Sequence, residues 1–105
     1  MRFIETPIFT RIIVALLDDA GYLSLQLALL QRPNLGAVIP HGGGLRKARW
    51  PLPGRGKRGG LRIVYFWDET SETFYMLYAY PKNEQENLTA GQLRTLSRLV
   101  REEFG

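Results

Sequence analysis

The strongest constraint on this chain is the stretch LRIVYFWDETSETFYMLYAY, residues 61–80. Ile63, Val64, Tyr65, Phe66 and Trp67 are β-branched or aromatic and read as a strand from Leu61 to Asp68. The turn-forming DETSET follows, and Phe74 to Tyr80 returns as the partner strand. Pro81 ends it, because proline has no backbone donor for the ladder. The other residues of a 105-residue chain, one domain in length, must be arranged around this hairpin.

The flanking elements are readable from their punctuation. Arg2 to Glu5 is compatible with a short edge strand. Thr6 reads as an N-cap and Pro7 suits the first turn of a helix, where no donor is needed. Ile8, Ile12 and Leu16, with Phe9 and Ile13 alongside, form its apolar face. The next segment, DDAGYLSLQLALLQRP, is ambiguous: Leu23, Leu25, Leu27 and Leu29 alternate as in a strand. Its leucines, glutamines and alanines nevertheless favour helix, and aspartates in front and Pro33 behind fit helix ends. The prediction is a helix from about Asp19 to Gln31, apolar over a wide arc and buried on more than one side. RPNLGAVIPHGGG is a connector, Leu45 to Trp50 a strand, and PLPGRGKRGG a loop. At the C-terminus, Thr89 and Gln92 make a capping box and Leu88 and Leu93 stand at staple positions. Leu93, Leu96, Val100 and Phe104 then form one stripe of an amphipathic helix, with Arg94, Arg98 and Arg101 opposite as solvated surface. The fold class is α+β: an N-terminal helical pair, an antiparallel sheet of three to four strands covered by helices on one face, and a C-terminal helix.

Charge is distributed unevenly. The formal net charge is +4, yet from Ala20 through Trp67 there is not one acid. Residues 42–67 alone hold seven lysines and arginines. Such segregation makes a one-signed field that attracts polyanions, and glycine between the bases permits close approach to a phosphate backbone. Strand alternation sorts the bases. Lys47 and Arg49 point one way and Arg46 the other; Arg62 shares a side with Val64 and Phe66; Lys82 stands just past the last strand. Neighbouring strands therefore converge Lys47, Arg49, Arg62 and Lys82 on one patch.

Several chemistries find no support. The chain has no cysteine and one histidine, His41, so disulfides and thiolate metal sites are excluded and a histidine-based zinc site is not expected. His41 lies in PHGGG with no nucleophile nearby, as a hydrolytic triad would require. Neither GGG nor GRGKRGG has the spacing of a nucleotide-binding loop. The acids lie at turn and helix ends, not in a pair suited to glycoside chemistry. No apolar run reaches transmembrane length, and Glu5 and Pro7 interrupt any signal-peptide core, so a soluble cytoplasmic protein is expected. What remains is phosphodiester chemistry, in which Arg and Lys hold a phosphate and stabilise its developing charge, or plain backbone binding.

The combination GGLRKARWPLPGRGKRGGLRIVYFW and FYMLYAYPKNEQENLT resembles the RelE/ParE superfamily of bacterial toxins, nearest to the HigB branch. The similarity runs from about Thr6 to the final helix. It implies a RelE-like fold and the toxin half of a type II toxin–antitoxin module. It further implies a ribosome-dependent mRNA endoribonuclease without cofactor or metal. In such enzymes the ribose 2′-hydroxyl of the mRNA attacks the adjacent phosphate. Carried over residue by residue, the resemblance makes Arg62, Lys47, Arg49 and Lys82 the catalytic set. Arg46, Arg55, Lys57, Arg58 and Tyr80 become RNA- or ribosome-binding residues. Some members carry a C-terminal tyrosine that stacks on a base; the segment after Asn83, EQENLTAGQ, has none, which leaves Tyr80 or Tyr78. The implied partners are an antitoxin of helix-turn-helix type, the ribosome and mRNA. Two other classes stay open: a ParE-like gyrase inhibitor, and a non-catalytic RNA- or ribosome-binding module.

Overall fold

The computed structural model describes residues 1–52 and 60–105. The elements run β1 (Arg2–Glu5), α1 (Pro7–Leu16), α2 (Asp19–Gln31), β2 (Ala37–Val38), β3 (Arg46–Trp50), β4 (Leu61–Asp68), β5 (Thr73–Pro81) and α3 (Ala90–Phe104). The strands form one sheet in the order β1-β5-β4-β3-β2. Three of its pairings are antiparallel, but β1 lies parallel to β5, from Arg2 opposite Thr73 to Glu5 opposite Met76. The sheet is thus mixed and five-stranded, wider than the antiparallel three or four strands expected. The added edge is β2, two residues paired to Lys47 and Arg46, too short to carry a strand pattern.

The helices do not share one face, as the sequence reading expected. The α1–α2 pair covers one side, where Phe9, Ile13, Leu25 and Leu29 pack with Ala48, Ile63, Tyr65 and Phe74. α3 covers the other, where Leu96 and Val100 pack with Leu45, Val64, Leu77 and Tyr80. The physical sign is in β4, whose first five residues are all buried. A strand buried on both faces reads as a continuous apolar run, not as alternation.

Helix ends are fixed as their sequences suggest. The Thr6 hydroxyl accepts from Phe9 N (3.1 Å) and donates to the Leu77 carbonyl (2.7 Å), so one residue caps α1 and ties it to β5. Asp18 accepts from Gly21 N at 2.7 Å to start α2. Tyr22 of α2 donates to the Glu5 carboxylate (2.5 Å), which also accepts from Thr10 (2.6 Å), joining β1, α1 and α2. The Thr89–Gln92 capping box of α3 is present in both directions, each bond 3.0 Å. α2 departs from expectation in one respect: Leu25 and Leu29 are fully buried, while Leu23 and Leu27 are about half exposed. Only one side of this helix meets the sheet. No single helix among the described residues is long and apolar enough to cross a membrane.

Two devices position the sheet for the site described next. The register between β4 and β5 skips a residue: Val64 faces Tyr78 and Tyr65 faces Met76, leaving Leu77 as a bulge. The bulge switches the parity of β5, so Tyr75, Leu77, Tyr78 and Tyr80 all join the α3 side while Phe74, Met76 and Ala79 join the other. Behind β3, the Tyr65 hydroxyl donates to the Pro33 carbonyl (2.7 Å) and accepts from Gly36 N (2.9 Å), clamping the connector to the sheet. Gly36 is required there, because a Cβ would lie 2.8 Å from the Lys47 carbonyl carbon and 2.9 Å from the Tyr65 ring.

Candidate nucleic-acid interface

The antiparallel register places the basic residues in rows. Arg49 of β3 faces Arg62 of β4, which faces Tyr80 of β5. The next row is Lys47, Val64 and Tyr78. On the other side of the arginine row, the backbone N–H of Lys82 donates to the Gly60 carbonyl at 2.9 Å, extending the ladder one residue beyond β5. Side chains directly opposite one another leave the backbone about 4.5–5.5 Å apart at Cβ. Val64 and Tyr80 belong to the α3-side cluster, so Lys47, Arg49 and Arg62 share that face. Lys82 follows Pro81, the last residue of β5, in a turn. The register sets Lys47, Arg49 and Arg62 on one face, with the Lys82 backbone next to that of Gly60.

Their environments differ. Arg62 is 7% exposed, whereas Arg49 and Lys82 are open to solvent. Lys47 is half-buried and donates from Nζ to Asn87 Oδ1 at 2.9 Å. Tyr80 is 2% exposed, and its hydroxyl is buried with no hydrogen-bond partner among the described residues. Burial raises the Tyr80 pKa, and the nearby Arg62 charge partly opposes that rise. Burying a cation or an unmatched hydroxyl is costly unless it finds a partner.

Arg46 lies on the opposite face, as alternation predicts: it pairs with Tyr65, on the α1–α2 side, and its guanidinium donates to the Gly36 carbonyl at 2.8 Å. There it fastens the connector. Tyr80 has no free ring surface on which a base could stack, because β5 carries it into the α3-side core beside Tyr78, ring centroids 5.9 Å apart. Arg55, Lys57 and Arg58 lie outside the described residues.

The sequence reading also missed a residue. Asn87 is 40 positions from Lys47, in the segment leading to α3, and no periodicity links the two. The segment is itself ordered by side-chain bonds: Gln85 Nε2 donates to the Asn87 carbonyl (2.9 Å) and to Gln92 Oε1 (3.0 Å). Among the described residues, no three His, Cys, Asp or Glu side chains come together as a metal site.

The sequence model of the family described as the RelE toxin of the RelE/RelB toxin–antitoxin system matches residues 31–104. The chain belongs to the RelE toxin family. The match begins at the end of α2 and takes in the connector, β2 to β5 and α3. Lys47, Arg49, Arg62, Lys82 and Asn87 of this RelE-family toxin therefore lie inside the matched region, while β1 and α1 lie before it. The α+β architecture with its C-terminal helix is compatible with a RelE-like fold.

Proposed function

We propose that this RelE-family toxin is a ribosome-dependent mRNA endoribonuclease, and that Arg62, Arg49, Lys47 and Lys82 carry the reaction. The observation that supports this most is the Arg49–Arg62 row with Lys47 beside it on one sheet face, and Lys82 just past the adjoining end of β5. Its charge suits an RNA phosphate about to gain negative charge. The nucleophile belongs to the substrate: the 2′-hydroxyl gives its proton to solvent and attacks the adjacent phosphorus, and the bond to the 5′-oxygen breaks as that oxygen takes a proton from solvent. The products are a 2′,3′-cyclic phosphate and a 5′-hydroxyl end. Lysine and arginine are cations at neutral pH, so their part is electrostatic. Arg62, held rigidly in the strand, stabilises the phosphorane; Arg49 and Lys82 hold the flanking phosphates; Lys47 favours the developing alkoxide. Preorganised donors of this kind are worth about 10²–10³ in rate each. The Tyr80 hydroxyl is a neutral donor within the same row.

The partner that follows from this reading is an antitoxin, of helix-turn-helix type, whose acidic segments complement the basic face. The cytoplasm is where toxin, antitoxin and translating ribosomes meet. Assignment to the HigB-like branch rests on the GGLRK and PKNE segments.

The test is mRNA cleavage in a purified translation system, with and without ribosomes, with the cut ends mapped. Cuts inside codons that appear only with ribosomes, lost in Arg62→Ala, are the expected result. Cleavage of free RNA would remove the ribosome from the reading. A folded protein that arrests growth without cutting any RNA would replace it with gyrase inhibition or non-catalytic binding.

A further inference from the structure

The cleft beside Lys47 is separate from the cation row yet continuous with it. It lies between β2, the connector that follows, and the start of α3. Its volume is about 300 Å³, at the lower end of the roughly 300–1,000 Å³ of small-ligand sites and suited to one heterocycle. Val38, Ile39, Leu88 and Leu93 supply apolar walls, and Lys47 and Asn87 supply the polar groups. Val38 is 57% exposed although apolar. Leu88 and Leu93 are the staple pair that sets the entry angle of α3, so these walls are built into the helix start.

The Lys47–Asn87 bond fixes the chemistry of the cleft. A lysine ammonium only donates, so the Asn87 amide must turn its oxygen to Lys47, at 2.9 Å. Its Nδ2 group, with two donors, is then directed away from the ammonium. An apolar slot with an oriented amide at its side and a phosphate-binding cation at its end matches one nucleotide of single-stranded RNA. Such bases are recognised splayed from their neighbours, by apolar contact and edge hydrogen bonds.

We infer that this cleft holds a single unstacked base of the RNA next to the scissile phosphate, and that Asn87 reads its edge while positioning Lys47. The inference rests on the proposed function for its substrate. Asn87 donates from Nδ2 to a ring nitrogen or carbonyl oxygen of the base. The nucleotide's ribose then lies beside Lys47, the residue common to cleft and cation row, and its phosphate beside the arginines.

Asn87→Asp separates reading from positioning. It keeps an acceptor for Lys47 and replaces the donor with a second acceptor. In the ribosome assay, with a codon library and mapped ends, the expected result is redistribution of the base at one position flanking the cut. Bases presenting an amino group gain there, by about fivefold or more; Asn87→Ala flattens the preference at the same position. An unchanged distribution with uniformly slower cutting would reduce Asn87 to a strut for Lys47 and overturn the base site. If the wild-type protein cuts no RNA, the proposed function fails, and a ribosome-free measurement decides the cleft. In that case 2′-O-methylated trinucleotides of each base are titrated into the labelled protein. Shifts of the Asn87 side-chain amide and the Leu88 and Leu93 methyls, abolished in Val38→Trp, would support base binding. No shift with any trinucleotide would overturn it.

Discussion

Arg49 of β3 stands directly opposite Arg62 of β4, two guanidinium side chains on one face of neighbouring antiparallel strands. Like charges in that relation destabilise a sheet. A local rule broken in this way, without an evident structural gain, is expected at a functional site. Relief of the repulsion therefore ought to stabilise the protein while weakening the proposed phosphate contacts. Arg49→Ala and Arg62→Ala are each expected to leave unfolding stability within about 1 kcal/mol of wild type, or to raise it. Each should lower the cleavage rate by about 10²-fold or more. Urea unfolding beside single-turnover cleavage checks both halves; a large stability loss with retained cutting would make the pair structural.

Arg46 and Lys47 are adjacent in sequence and opposite in consequence. Arg46 bonds to the Gly36 carbonyl on the α1–α2 side, and Lys47 lies on the α3 side. Arg46→Ala is expected to cost about 1–2 kcal/mol, as loss of a charge-assisted hydrogen bond does, with cleavage by the folded fraction near wild type. Lys47→Ala should show the reverse. Thermal unfolding and cleavage measured on the two variants check this; equal loss of cleavage in both would mean that the strand does not present them to opposite faces.

Tyr80 carries a buried hydroxyl without a hydrogen-bond partner among the described residues, next to Arg62. An unsatisfied buried polar group costs about 1–3 kcal/mol. Tyr80→Phe is accordingly expected to stabilise the free protein by about 1 kcal/mol. If the hydroxyl donates to a phosphate bound at Arg62, the same change slows cleavage about tenfold or more. A stabilised variant that cuts at the wild-type rate would confine Tyr80 to the core.

Alkaline pH supplies a prediction independent of RNA. Tyr22, Tyr65, Tyr75 and Tyr80 all have pKa values raised from the ordinary 10.0, chiefly by burial. The folded state therefore keeps protons that the unfolded chain releases above about pH 10. Stability falls wherever the folded state binds more protons than the unfolded one. The tyrosine contribution is thus intact below pH 10 and is lost as pH rises through the folded values. Far-UV circular dichroism in urea from pH 8 to 12 should show a flat midpoint that then drops. Tyr22→Phe, which removes the hydroxyl held by Glu5, should reduce the drop.

The sequence by itself determined the local elements and the chemistry on offer. Thr6, Asp18 and Thr89 mark helix starts because each offers a side-chain acceptor to orphan backbone donors, a purely local effect. The β4–β5 hairpin is legible because β-branched and aromatic residues crowd it. The absence of acids from Ala20 to Trp67 leaves that span uniformly basic, and period-two alternation already separates Arg46 from Lys47 and Arg49. Tertiary structure alone decided the rest. Whether α3 joins α1 and α2 or takes the opposite face depends on which sheet surface each apolar stripe finds, and β4 buries side chains on both of its surfaces. The bulge at Leu77 resets the parity of β5, so which tyrosines face α3 cannot be counted from Thr73 upward. Asn87 reaches Lys47 only because the capped start of α3 brings the preceding segment back beside β3. The physical reason is the same in each case: caps and periodicity act over a few residues, whereas faces, registers and long-range hydrogen bonds are chosen by packing of the whole sheet.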